Sequence, residues 1–231
     1  MKVPVLILAG GLGSRLKNYS ISTPKALVKV AGKPFIFWQL ELLKNQGFKD
    51  IVISSGHLGH LIIESVGDGG KLGLNIQHVN DGNKLLGTGG AIKNSLKFLP
   101  DHFLIMYGDT YLPVNFKDII NHFLKNDKKN MMVILKNKNK WVPSNIVFTN
   151  NSIVAYSKGK NNSNAYHVAY GISILSKEAF LNIDQNIFDM NLVFQKLISE
   201  NKLIAYEVRK RFYEIGTIET LKETESYLRT L

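Results

Sequence analysis

The chain has 231 residues, 45% of them hydrophobic and 20% charged, enough apolar material to bury one α/β core. It contains no cysteine, which excludes disulfides and thiolate metal sites, and no run of the roughly 20 apolar residues that cross a membrane. The net charge of +11 raises nucleic acid as a partner, but the lysines are scattered, as at Lys44, Lys49, Lys93, Lys97, Lys117 and Lys125. The one dense run, Lys125 to Lys140, reads as a solvated loop and strand edge. Such a background points away from nucleic acid and suits phosphorylated small substrates. The N-terminus runs directly into a strand pattern with no leader-like segment, so the expectation is a soluble, cytoplasmic protein.

Val3 to Leu8 is a short continuous apolar run, as in a parallel strand covered on both faces. Phe35 to Gln46 carries Phe35, Trp38, Leu42 and Leu43 at helical spacing, with Gly47 as its stop signal. Strands are predicted at Asp50 to Ser55, Leu74 to Val79 and Phe103 to Tyr107, and helices at His57 to Val66 and Gly89 to Leu99, where Pro100 follows. This alternation predicts βαβ units, a mostly parallel sheet and a ligand site along the rim formed by the strand C-termini. Beyond Tyr111 the pattern becomes antiparallel. Strands are expected at 131–135, 144–148, 152–156, 168–175 and 203–208, a loop at 161–165, and helices at 187–200 and 217–231. The expected class is α/β, a Rossmann-like three-layer α/β/α architecture with a smaller β-rich lid. It forms one domain over 1–231, with lobes at 1–111 and 112–231.

The sharpest motif is Leu8-Ala9-Gly10-Gly11-Leu12-Gly13-Ser14-Arg15-Leu16, followed by Pro24-Lys25. A buried strand ending in clustered glycines lets backbone N–H groups approach a polyphosphate. Arg15 adds a bidentate fork for phosphate oxygens, and Lys25 a point charge. The spacing excludes a dinucleotide fingerprint, because Leu16 stands where its third glycine belongs. It also excludes a P-loop, because no Lys lies between Gly13 and Ser14. Two further motifs sit at strand-to-helix or strand-end positions. Thr88 in Leu86-Gly87-Thr88-Gly89-Gly90-Ala91 reads either as a base contact or as a helix cap. Asp109 in Tyr107-Gly108-Asp109-Thr110 reads either as a hard oxygen ligand for Mg²⁺ or as the cap of the next turn.

Together these segments resemble the sugar-phosphate nucleotidyltransferases, whose opening signature is Leu-Ala-Gly-Gly-x-Gly-Thr-Arg-Leu followed by Pro-Lys. The Gly-Thr-Gly-Gly-Ala segment is most similar to the heptose 1-phosphate guanylyltransferase branch. The resemblance implies transfer of a nucleotidyl group from an NTP to a sugar 1-phosphate, with Mg²⁺ as cofactor and release of pyrophosphate. It implies that Leu8, Ala9, Gly10, Gly11, Gly13 and Ser14 hold the nucleotide, Arg15 the departing phosphates and Lys25 the triphosphate. Gly87 and Thr88, with Asp81 as the nearest acid, would hold the base, and Asp109 the metal. Glu214, in Glu214-Ile215-Gly216-Thr217, stands where the family has a second metal-side Asp. Lys158, Gly171 and Asn191 stand at sugar-phosphate positions, Asn191 where several members have Glu. Lys158 also reads as an ordinary surface lysine, and His167, with no metal-ligand neighbour at suitable spacing, as an ordinary histidine. The partners expected are the two substrates, with a monomer or homodimer as the assembly. The competing readings are uridylyl, thymidylyl or cytidylyl transfer, and a silent nucleotide-sugar-binding regulatory domain.

Overall fold

A computed structural model describes residues 3–11, 16, 22–82, 84–127, 130–157 and 163–231. Among these, nine strands form one sheet. They are β1 (Val5–Leu8), β2 (Asp50–Ser55), β3 (Asn75–Asn80), β4 (His102–Tyr107) and β5 (Asn130–Lys136). The rest are β6 (Ile146–Thr149), β7 (Ser152–Tyr156), β8 (His167–Ser176) and β9 (Leu203–Val208). The helices are α1 (Phe35–Asn45), α2 (Gly59–Val66), α3 (Gly87–Ser95) and α4 (Phe116–Lys125). They continue with α5 (Glu178–Leu181), α6 (Met190–Ser199) and α7 (Ile218–Leu228).

The main strand order is β3-β2-β1-β4-β8-β5-β9. The first four strands are mutually parallel, β8 is antiparallel to β4 and β5, and β9 is parallel to β5. The hairpin β6–β7 joins the sheet where Ile146 meets His167. The β-rich part expected of the second half is thus built as a continuation of the main sheet. The register of β8 against β5 shifts between Ala169 and Ser173, around Gly171, whose φ is 95°.

Alternation along the strands assigns the layers. Val5 and Ile7 pack on one face with Ile36 and Leu40 of α1, Ile62 of α2 and Phe116 and Phe123 of α4. Leu6 and Leu8 pack on the other with Ile92 of α3, Phe180 of α5 and Val193 and Phe194 of α6. A strand covered on both faces needs a continuous apolar run, which is what β1 carries. A smaller cluster of Leu16, Val28, Phe35, Tyr111, Ile215, Leu221 and Leu228 anchors α7.

Several boundaries differ from the sequence expectation, for local reasons. Helix α2 starts at Gly59, since Leu58 before it is left-handed with φ 57°. Helix α3 starts at Gly87, and Leu96–Phe98 winds into a 3₁₀ turn. Helix α6 starts at Met190, because the Asp189 side chain caps it by accepting from the Asn191 N–H. Helix α4 had no predicted bounds, although Lys117 and Lys125 fall at helical positions; Asn115 caps it by accepting from the Lys117 N–H.

Candidate active site

The C-terminal ends of β1, β2 and β4 open onto a cleft of about 490 Å³. Its lining includes Leu8 at the end of β1 and Ala9, Gly10 and Gly11 just past it, with Ser54 near the end of β2 and Gly56 just beyond. Asp81, Lys84, Leu85, Leu86, Gly87 and Thr88 line one end, and Lys25, Tyr107, Gly108, Asp109 and Gly216 the other. The rim predicted from βαβ alternation is therefore where the cleft lies.

Asp109 is presented by a tightly held turn. Its preceding Gly108 donates to the Leu8 carbonyl at 2.8 Å, and a Cβ at position 108 would sit 2.8 Å from that same oxygen. The Asp109 carbonyl accepts from the Ile215 N–H at 3.0 Å, beside a short ladder pairing Tyr213–Glu214 with Thr110–Tyr111. The Asp109 carboxylate takes the Lys25 ammonium at 2.7 Å on Oδ2 and the Thr110 hydroxyl at 3.0 Å on Oδ1. The side chains of Lys25 and Asp109 are 11% and 33% exposed, so the pair faces the cleft and is partly dry. Lys25 opens a 3₁₀ turn, Lys25–Leu27, that packs under α1.

Around this pair the titratable groups are shifted by burial. Burial pushes the Tyr107 phenol up, helped by Tyr156, Asp189 and Asp109. The Tyr156 phenol is pushed up to about 12, first by burial and then by Asp189. Both phenols are thus neutral hydroxyls at physiological pH. At the other end of the cleft, partial burial raises the Asp81 carboxyl against the opposing hydrogen bond from Asn94.

The second glycine motif does something the sequence did not disclose. A Cβ at Gly89 would lie 2.3 Å from the Phe188 ring, and one at Gly90 2.3 Å from the Asn186 carbonyl oxygen. The N–H groups of Gly89 and Gly90 donate to the Phe188 carbonyl, and Phe188 donates back to Leu86. The Thr88 hydroxyl donates to Asp189 Oδ2 at 3.1 Å and accepts from the Met190 N–H at 2.9 Å. Thr88 lines the cleft, but its hydroxyl is engaged with the start of α6. It does not cap its own helix, where Leu86 holds the cap position.

The remaining expected residues divide into three groups. Leu8, Ala9, Gly10, Gly11, Lys25, Asp81, Gly87, Thr88 and Asp109 share the cleft lining. Glu214, Gly171 and Asn191 lie beyond it. Glu214 is in register with Thr110, a Cβ at Gly171 would be 3.6 Å from the Thr110 side chain, and Asn191 sits in the first turn of α6. Gly13, Ser14, Arg15 and Lys158 lie outside the described residues. Ser54 and Gly56 line the cleft although no motif names them, and Tyr107 and Gly216 line it although their motifs assigned them no role. The strand-end rule that located Asp109 also locates Ser54 and Tyr107. Among the described residues no group of three His, Cys, Asp or Glu gathers at metal-binding distance, and no helix is long and apolar enough to cross a membrane. His167 is buried against Glu207, with Nε2 at 3.8 Å from its carboxylate.

Residues 4–228 match the nucleotidyl transferase family. The chain belongs to that family. It is 40% identical over 112 residues to an N-acetylmuramate alpha-1-phosphate uridylyltransferase of Neisseria meningitidis serogroup B, spanning about half the length (48%) of each chain. A D-glycero-alpha-D-manno-heptose 1-phosphate guanylyltransferase of Aneurinibacillus thermoaerophilus is 27% identical over 210 residues, 90% of this chain and 86% of that enzyme. Among solved structures, HddC from Yersinia pseudotuberculosis complexed with GMP-PN superposes with a TM-score of 0.79. It is 28% identical, with 98% of this chain and 99% of that chain covered.

Proposed function

We propose that this chain joins an NTP to a sugar 1-phosphate, forming an NDP-sugar and releasing pyrophosphate. The observation that carries the reading is the Lys25–Asp109 pair, set 2.7 Å apart beside the glycine turn in a cleft at the strand C-termini. A sugar 1-phosphate oxygen is already an anion, so attack on the α-phosphorus needs no general base. The protein has to orient two anions and offset their charge. The triphosphate lies along the backbone of residues 8–11, and the family motif assigns Gly13 and Ser14 to the nucleotide as well. Arg15 binds the departing β- and γ-phosphates, and Lys25 turns from Asp109 toward the triphosphate. Gly171 and Asn191 are the residues assigned to the sugar phosphate, with Lys158 assigned by its sequence position.

Asp109 is an oxygen donor whose two carboxylate oxygens meet only a lysine ammonium and a hydroxyl among the described residues, a set that a cation can replace. Mg²⁺ takes one or two carboxylates and completes its shell with phosphate oxygens and water, so the residues present fit it. Asp109 would hold it, with Glu214 as the second acid across the ladder from Thr110. The ion, when bound, offsets charge on the reacting phosphates.

For the substrates we favour GTP with a heptose or hexose 1-phosphate. The support is the guanylyltransferase that aligns over most of the chain and the Asp81 carboxylate at the base end, where Oδ1 accepts from Asn94. Such a carboxylate suits the donor edge of guanine. Uridylyl transfer is the second reading, supported by the 40% identity to the Neisseria enzyme. The corresponding role is cytoplasmic supply of nucleotide sugar for capsule or lipopolysaccharide, by a monomer or homodimer. The test is pyrophosphate release with Mg²⁺, running five NTPs against a panel of sugar 1-phosphates. Release tied to one pair supports the reading. Nucleotide binding without release from any pair points to a silent binding domain instead.

A further inference from the structure

We infer that Gln39 is a positioning residue for Asp109, holding the turn that presents the carboxylate. The inference rests on Asp109 working at the reacting centre, as proposed above. Gln39 lies in α1 and is 0% exposed. Its Nε2 donates to the Tyr107 carbonyl and the Thr110 carbonyl, each at 2.8 Å. Those two carbonyls flank Gly108-Asp109, so a single amide group ties both ends of the turn together. Two acceptors at that distance fix the amide orientation, because only the nitrogen carries two protons.

The other amide atom shows why the group is there. Gln39 Oε1 is buried with no hydrogen-bond partner among the described residues. An unpaired buried acceptor is costly, and α1 is already anchored by Phe35, Ile36, Leu40 and Leu43, each no more than 1% exposed. An apolar residue at 39 would serve the packing of α1 without that cost. What it would not supply is the double donation to the turn. The same helix also fixes the Lys25 side of the pair. The Phe35 N–H donates to Val28 at 3.0 Å and the Trp38 indole to Val30 at 2.8 Å, just past the Lys25 turn. Gln39 therefore sets Asp109 relative to the element that carries Lys25.

The test combines steady-state kinetics with amide hydrogen exchange on the ligand-free protein, using Gln39→Met, which keeps the bulk and removes the amide. The expected result is a kcat lower by roughly ten- to a hundredfold with the NTP KM within about threefold, since a small misplacement of a reacting group is expensive. Exchange should speed at the Gly108 and Ile215 amides, which donate to Leu8 and Asp109, and stay unchanged in the core of β2. Gln39→Leu also removes both donors and, with a shorter apolar side chain, gives the same pattern and decides the matter should the Met variant fail to fold. Unchanged kcat and exchange, or faster exchange across the whole core, overturns the inference. Asp109→Ala run alongside separates the two failures. If it keeps full turnover, the functional reading falls and takes this role with it. If it is inactive while Gln39→Met matches wild type, only the role of Gln39 falls.

Discussion

The chain carries two glycine-rich turns, and they do opposite work. After β1, a Cβ at Gly11 would meet nothing within 4 Å among the described residues, while one at Gly10 would press on the backbone of Ser55 and Gly56, nearest at 3.2 Å. Gly11 is thus open toward the cleft it lines and leaves room for something outside the chain, while Gly10 seats the turn on the end of β2. At the start of α3, the space above Gly89 and Gly90 is filled by Phe188 and Asn186. Those glycines admit another part of the same chain, joining the Gly87–Thr88 end of the cleft to the helix that bears Asn191. Residue type alone therefore does not distinguish a ligand turn from a packing turn. What distinguishes them is whether the missing Cβ faces solvent or protein.

The comparison breaks first, and with the largest effect, at Arg15. Arg15 belongs to the first glycine motif, and Arg15→Ala should lower turnover by about 10²- to 10³-fold, the scale of losing one aimed charge donor at a reacting centre. Its melting temperature should match wild type, and a near-full rate would remove Arg15 from the mechanism. Next come two alanine substitutions read by the same pair of assays. Gly11→Ala should leave stability within about 0.5 kcal/mol and cut nucleotide affinity by about tenfold or more, because the methyl enters space that phosphate needs. Gly90→Ala should do the reverse. In an open helix the change would gain about 1 kcal/mol, but here the methyl strikes a backbone carbonyl, so a net loss of about 1–3 kcal/mol is expected in denaturant melts. A stabilised Gly90→Ala would show that the contact with residues 186–188 is not as described.

A finer cut falls on Thr88, which lines the cleft yet spends its hydroxyl on Asp189 and Met190. Thr88→Val should cost about 1–2 kcal/mol of stability while leaving the preference among NTPs unchanged. A changed NTP preference would return Thr88 to the role of base reader.

How much of this was legible depended on whether the partners were local. The strands β1, β2 and β4 stand out because burial on both faces demands unbroken apolar runs, and Asp109 follows from its place at a strand end. Helix α4 carries the usual signal, Asn115 followed by apolar residues at 116, 119, 120 and 123, but it lies at the edge of a Lys/Asn-rich stretch that reads as loop. The function of Gly89 and Gly90 was not legible, because the residues that fill their space lie about a hundred positions later. Gln39 was hidden for the same reason: a glutamine in an amphipathic helix reads as a surface residue until its acceptors at 107 and 110 are in place.

The smallest effect lies away from both turns. Burial lowers the His167 pKa from its ordinary 6.5, with Glu207 opposing. A folded-state pKa below the unfolded one means the unfolded chain takes up the proton first. Stability from neutral His167 is thus full above about pH 6.5 and declines as the pH falls through 6.5 toward the folded value. Melting curves of His167→Phe should show a shallower decline between about pH 6.5 and 5 than wild type. An identical decline would assign it to other groups.

The central claim, nucleotidyl transfer at the Lys25–Asp109 cleft, is tested most directly by following label from the NTP. With α-³²P-labelled NTP and the active sugar 1-phosphate, wild type should place the label in the NDP-sugar, while γ-label leaves in pyrophosphate. Asp109→Ala should stop both while remaining folded. Release of γ-label as inorganic phosphate, or transfer that survives in Asp109→Ala, would contradict the account.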